Sequence, residues 1–169
     1  MQAEDGEMDL VATWLKWDPT RLIAGALAGL FAGVMMLAFA MIIAVVMGHE
    51  AWFPIKVAAL PFLGQSATEV GPEMRAILVG FVAQEFLCMI LGMIYAQVTG
   101  TNSLPTLLVL GFVWGTFSWI FINNLFLQSF KAIYAAHLSA GAAFPVNIIF
   151  GLSLTSVAFF DRALRGNRV

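Results

Sequence analysis

The side chain with the most chemical potential in this chain is Glu85, a lone carboxyl in the middle of the membrane-length apolar run Met74 to Val98. Placing an acid near the centre of a bilayer costs roughly 2.5 to 3.5 kcal/mol on insertion scales, so such a group needs a partner, a proton or water. Every Lys and Arg lies near the end of an apolar run, so no cation is expected at its depth, and a neutral, proton-sharing carboxyl is the expectation. Three roles fit it: a structural hydrogen bond to Gln84 or to polar groups on later helices, a bond to a partner subunit, or a relay for a proton or cation. Asn123, Asn124, Gln128 and Asn147 gather toward one membrane face and would either extend a hydrated pocket from Glu85 or tie helices together.

The remaining reactive residue types point to less. His49 and His137 fall near the same expected membrane face, where two imidazoles are enough for the axial ligands of a haem, or with Glu50 and Glu73 for a metal. Neither lies inside an apolar run and no pair has the i, i+4 spacing of a helical metal site, so no metal is expected. Cys88 is the only cysteine; an internal disulfide and CxxC chemistry are excluded, and a small packing residue is the reading adopted. Ser118, Ser139, Ser153 and Thr155 stand alone, without a base, and are expected to bond backbone carbonyls of the preceding turn. No catalytic constellation emerges, and no enzymatic activity or nucleic-acid partner is expected.

These side chains must be positioned by membrane helices. Of the 169 residues, 61% are hydrophobic and 11% charged, against about 25% charged in an ordinary soluble domain; mean hydropathy is +0.90. A helix needs about 20 apolar residues to cross roughly 30 Å of hydrocarbon. The fold expected is all-α, a polytopic integral membrane protein with four spans near residues 21–47, 73–98, 104–128 and 144–161. Residues 1–20 form a cytoplasmic or interfacial segment whose Met8, Val11, Trp14 and Leu15 share one helical face, residues 21–163 form the transmembrane domain, and 164–169 form a basic tail. The acidic start lacks the basic lead of a cleavable signal, so the first span is expected to stay in the membrane.

Asp18-Pro19-Thr20 combines an N-cap with proline at the first helical position, and Gly71-Pro72-Glu73 punctuates the second span in the same way. Residues 48–72 are too apolar for a solvated loop and, with Pro54 and Pro61, too broken for a crossing helix; an interfacial or partly re-entrant segment is expected. Lys16, Arg21, Arg162, Arg165 and Arg168 fall on one side, against Lys56, Arg75 and Lys131 on the other, which by the positive-inside rule puts both termini in the cytoplasm.

Gly25, Gly29 and Gly33 recur every four residues on the first span; Gly111, Gly115 and Ser118 repeat the device on the third, and Asn147, Gly151 and Ala158 share a stripe on the fourth. Such seams admit close helix neighbours, either within a four-helix bundle or on another subunit. Phe112, Trp114, Phe117, Trp119, Phe121 and Phe126 cover most of the rest of the third span, a wall for lipid tails, for helices of this chain or another subunit, or for a quinone or pigment. With its motifs GLFAG (29–33), ILGMIYA (90–96) and GFVWG (111–115), this organisation resembles small uncharacterised four-helix bacterial inner-membrane proteins. The resemblance implies the fold and a bacterial inner-membrane location, and carries over no catalytic residues.

The leading functional expectation is a non-catalytic accessory or assembly subunit of a larger membrane complex, of respiratory or photosynthetic type, docked on other integral subunits by its glycine seams and aromatic ridge. The alternatives are a small proton- or solute-translocating protein working through Glu85 and Asn147, and a haem- or quinone-binding electron-transfer subunit.

Overall fold

A computed structural model describes residues 17–69, 71–122, 124 and 140–166. It is all-helical among these residues, with four helices long and apolar enough to span a membrane. The expected interfacial helix within residues 1–16 lies outside the described residues, as do Asn123, Gln128, Lys131, His137 and Ser139.

Helix α1 spans Pro19–Val46, and at roughly 1.5 Å per residue it is long enough to cross a bilayer with a turn or more to spare. Its start is the one expected: the Asp18 carboxylate accepts from the backbone N–H of Thr20 (3.0 Å) and Arg21 (3.3 Å), with Pro19 in the first turn. A turn at Gly48, whose φ of 82° suits glycine, leads to α2, Phe53–Leu63, and a 3-10 turn over Gly64–Thr68. Helix α3 covers Met74–Thr99 and ends at left-handed Gly100. Helix α4, Leu104–Phe121, begins within five residues of it. The last span is a rod of α5, Ala140–Ser153, a 3-10 turn at Leu154–Ser156 and α6, Val157–Gly166, of which Ala143–Gly166 is the membrane-length part. The helix therefore runs through Arg165, so Leu164 to Gly166, expected in a tail, are helical.

The spans do not close into a symmetric ring. Helix α1 sits in the middle, packed on α3 along one side and on α5 and α6 along another, and α4 packs on α5. Helices α3 and α4 meet mainly near their shared turn, where the Tyr95 hydroxyl donates to the Leu107 carbonyl at 2.8 Å and Tyr95 and Trp114 have ring centroids 5.9 Å apart.

Small residues explain this order. Lipid tails are as apolar as leucine, so membrane helices gain by packing backbones closely rather than by hiding greasy side chains. On α1, the glycine seam faces α3: a methyl added at Gly25 would lie 2.6 Å from the Gly92 carbonyl oxygen and from Ala96 Cβ, and one at Gly29 would strike the Cys88 carbonyl. Ala24, Ala28 and Ala32, fully buried on the same helix, join a core with Leu107, Phe150, Leu154 and Val157. The second seam works likewise, since a methyl at Gly111 would come 2.5 Å from the Gly151 carbonyl and one at Gly115 2.5 Å from the Asn147 carbonyl. Both glycine seams thus meet helices of the same chain, the first of the two placements that the sequence allows.

The broken segment is a buttress. Its α2 is too short to cross a bilayer and lies along the first turns of α3, with the Ile55 carbonyl seated where Gly80 has no side chain. Lys56, counted from sequence as a loop cation, is fully buried: its ammonium donates to the carbonyls of Glu69 and Gly71 (3.0 Å to the latter) and lies 3.4 Å from the Glu50 carboxylate. Glu50 also accepts from the Gly71 N–H at 3.2 Å, so one ion pair fixes the chain entering α3.

Candidate functional site

Besides the Lys56–Glu50 pair, the described residues hold two buried polar regions that bear on function, one in the middle of a span and one at the end where α1 begins and α6 finishes. The first is Glu85. On α3 the residues buried against α1 are Glu85, Cys88, Gly92 and Ala96, the spacing of one helical stripe. Met74, Leu78 and Phe81, at helical spacing from Glu85, are nevertheless 64%, 57% and 40% exposed, because the early turns of α3 bury Ala76 and Gly80 against α2.

The Glu85 carboxyl rests on Gly33. A methyl added there would sit 2.6 Å from Oε2 and 2.8 Å from Oε1, so the last glycine of the seam is a seat for the acid rather than a point of backbone contact. Glu85 is 7% exposed, and neither carboxyl oxygen has a hydrogen-bond partner among the described residues. The expected bond from Gln84 is absent: its amide reaches Cys88 Sγ at 3.6 Å instead. Residues i and i+1 on a helix diverge, whereas i and i+4 stack, so Gln84 serves Cys88. A sealed, ionised carboxylate without partners carries a desolvation penalty of several kcal/mol, so a group in this seat needs a proton, water or a partner.

The other sequence candidates lie elsewhere. Asn147 is buried in the seam between α4 and α5, and its amide donates to the Ala143 carbonyl of its own helix at 2.9 Å. Asn124 likewise donates to Ile120, also 2.9 Å. The structure therefore gives Glu85 and Asn147 different helix pairs, and the rest of the expected polar pocket, Asn123 and Gln128, is outside the described residues. His49 stacks on Phe53 with centroids 4.5 Å apart. Among the described residues no group of three or more His, Cys, Asp or Glu forms a metal cluster. Thr155 bonds a carbonyl of the preceding turn as expected, Leu152 at 2.8 Å, while the hydroxyl of Ser118, 2% exposed, has no hydrogen-bond partner among the described residues.

No family model, curated protein or solved structure matches the chain. What the protein does must be argued from its own geometry.

The second region is a clasp that sequence reasoning missed. Arg21, 7% exposed, donates from Nε to the Ala96 carbonyl at 2.5 Å, from Nη2 to the Thr101 carbonyl at 2.7 Å and from Nη1 to the Asn102 side chain at 3.1 Å. Asp161, 1% exposed, faces it at 3.8 Å and accepts from Asn102 at 2.7 Å and from Arg165 at 3.0 Å. Arg165 continues to Asp18, whose carbonyl accepts from Gln97 at 3.0 Å. The guanidinium donating to its carboxylate holds Asp18 below the 3.8 of an ordinary aspartate, against a smaller opposing effect of burial. Three spans and the turn from α3 to α4 are joined in this one network. The available signal was an acid inside the apolar end of the fourth span, four residues before an arginine.

Proposed function

We propose that this is a small proton-translocating protein of the bacterial inner membrane that uses Glu85 as its proton-carrying group, with the start of α1 and the end of α6 on the cytoplasmic side. One observation carries the reading: a mid-span carboxyl sealed against Gly33, with neither oxygen paired. Because both oxygens are shut off, a donor on another subunit has no access to them while α1 and α3 stay packed, and Gln84 is otherwise engaged. A proton is the partner left to a group of this kind. Its exchange requires the seam to part near Gly33, where α1 meets the Glu85 carboxyl rather than the α3 backbone that it meets at Gly25 and Gly29.

The orientation rests on Arg21, Arg162 and Arg165 at the clasp end. The test is flux in proteoliposomes carrying a pH-sensitive dye, together with infrared spectra of the same protein. Wild type is expected to dissipate an imposed pH gradient and to show a protonated carboxyl band. Glu85→Gln is expected to lose both while eluting as the wild type does. Wild-type vesicles no leakier than empty ones would sink the proposal.

The accessory-subunit reading keeps one observation of its own. Helix α4 presents Val109, Phe112, Val113, Phe117, Ile120 and Phe121 outward, each more than 40% exposed. Stoichiometric large partners co-migrating after mild extraction would favour it, and a band of this chain alone would count against it.

A further inference from the structure

At the clasp end, the start of α4 and the flank of α6 leave a notch of about 440 Å³ lined by Leu104, Thr155, Ala158, Phe159, Arg162 and Ala163. That volume is within the range of small-molecule sites, roughly 300 to 1,000 Å³. Its walls are mostly apolar, and Leu104 and Phe159 are 54% and 69% exposed, so the notch opens toward lipid rather than into the bundle.

The charge arithmetic around it is uneven. Of the described arginines at this end, Arg21 and Arg165 are committed to Asp161 and Asp18. Asp161 spends its two oxygens on Asn102, Arg165 and Arg21. Arg162, on the same turn, has no ion pair among the described residues and lines the notch. A guanidinium beside an apolar wall at the end of a span matches an amphiphile with an anionic head, the phosphate forming paired hydrogen bonds and the chain lying on the wall.

We propose that this notch is a binding site for an anionic phospholipid, with its phosphate on Arg162 and an acyl chain against Leu104, Ala158 and Phe159. The site is independent of Glu85.

The experiment is native mass spectrometry of the purified protein titrated with phosphatidylglycerol or phosphatidylcholine of matched chains. Wild type is expected to retain phosphatidylglycerol roughly fivefold better, the size of one arginine near a headgroup. Arg162→Gln should reduce that ratio to about one, whereas Arg75→Gln, exposed at the start of α3, should leave it unchanged. Ala163→Phe, which fills the notch and keeps the charge, should weaken retention of phosphatidylglycerol to the Arg162→Gln level. Equal retention of the two lipids by wild type, or a preference that survives both Arg162→Gln and Ala163→Phe, would overturn the assignment. So would disulfide trapping of a second copy through Phe159→Cys in lipid bilayers, which would make the notch a contact between chains.

Discussion

Glu85 and Asp161 are both carboxyls buried to more than nine-tenths in the same bundle, yet they are treated in opposite ways. Asp161 lies at a span end with two arginines and an asparagine around it; Glu85 lies mid-span on bare backbone, without a hydrogen bond. A buried charge that is fully paired is a fastener, and losing one partner strands the others. A buried acid without partners holds little together, and its conservative replacement disturbs the fold little. The comparison separates a residue that ties spans together from one that, on the proposed function, is left to exchange a proton.

The largest effect should come from Asp161→Ala, which leaves Arg21 without its counter-charge. A loss of about 3 to 5 kcal/mol is expected, read as a lower unfolding midpoint in detergent. A change under about 1 kcal/mol would mean that the carbonyls of Ala96 and Thr101 suffice for Arg21, and the contrast with Glu85 would fail. Next comes Gly29→Leu, whose side chain must enter the space of the Cys88 carbonyl and Met89. Overpacking of this kind costs about 1 to 3 kcal/mol, and cysteine cross-linking between α1 and α3 should become slower. Glu85→Gln keeps the shape of the neutral acid on Gly33, so stability should move by less than about 0.5 kcal/mol while flux is lost. Equal destabilisation by Asp161→Ala and Glu85→Gln would erase the distinction.

The smallest effect concerns pH at Asp18. Because its folded-state value is depressed, its contribution is present above 3.8 and is lost as pH falls through the lower folded value. The difference in melting temperature between wild type and Asp18→Asn should therefore be the same at pH 7 and pH 5 and narrow only in strong acid. Exposure of this ion pair to solvent keeps the difference small.

Hydropathy was enough to place the spans, and four-residue spacing was enough to find the seams, because both are properties of single helices. What lay beyond reach was the register between helices. Asp161 reads as a solvated end charge beside Arg162 and Arg165 until Arg21 and Asn102 are brought against it by the packing of α1 on α6. Lys56 reads as a loop cation because Pro54 and Pro61 break the helical pattern around it; its burial depends on Glu50 and on carbonyls from the turn before α3. Glu85 was legible as an exceptional residue, but its seat on Gly33 was not, since nothing in the spacing says which glycine meets which turn. Of the partners open to Glu85 in the sequence, Gln84 is the one that helix geometry alone turns toward Cys88.

Arg21 also sets a condition on biogenesis. It enters the membrane with the first span, while the carboxylate that neutralises it arrives with the last. Until then its guanidinium depends on the carbonyl groups at Ala96 and Thr101, which emerge with the second span and the turn after it. Insertion of the hairpin formed by α1 and α3 thus prepares a half-finished socket, and synthesis of α6 completes it.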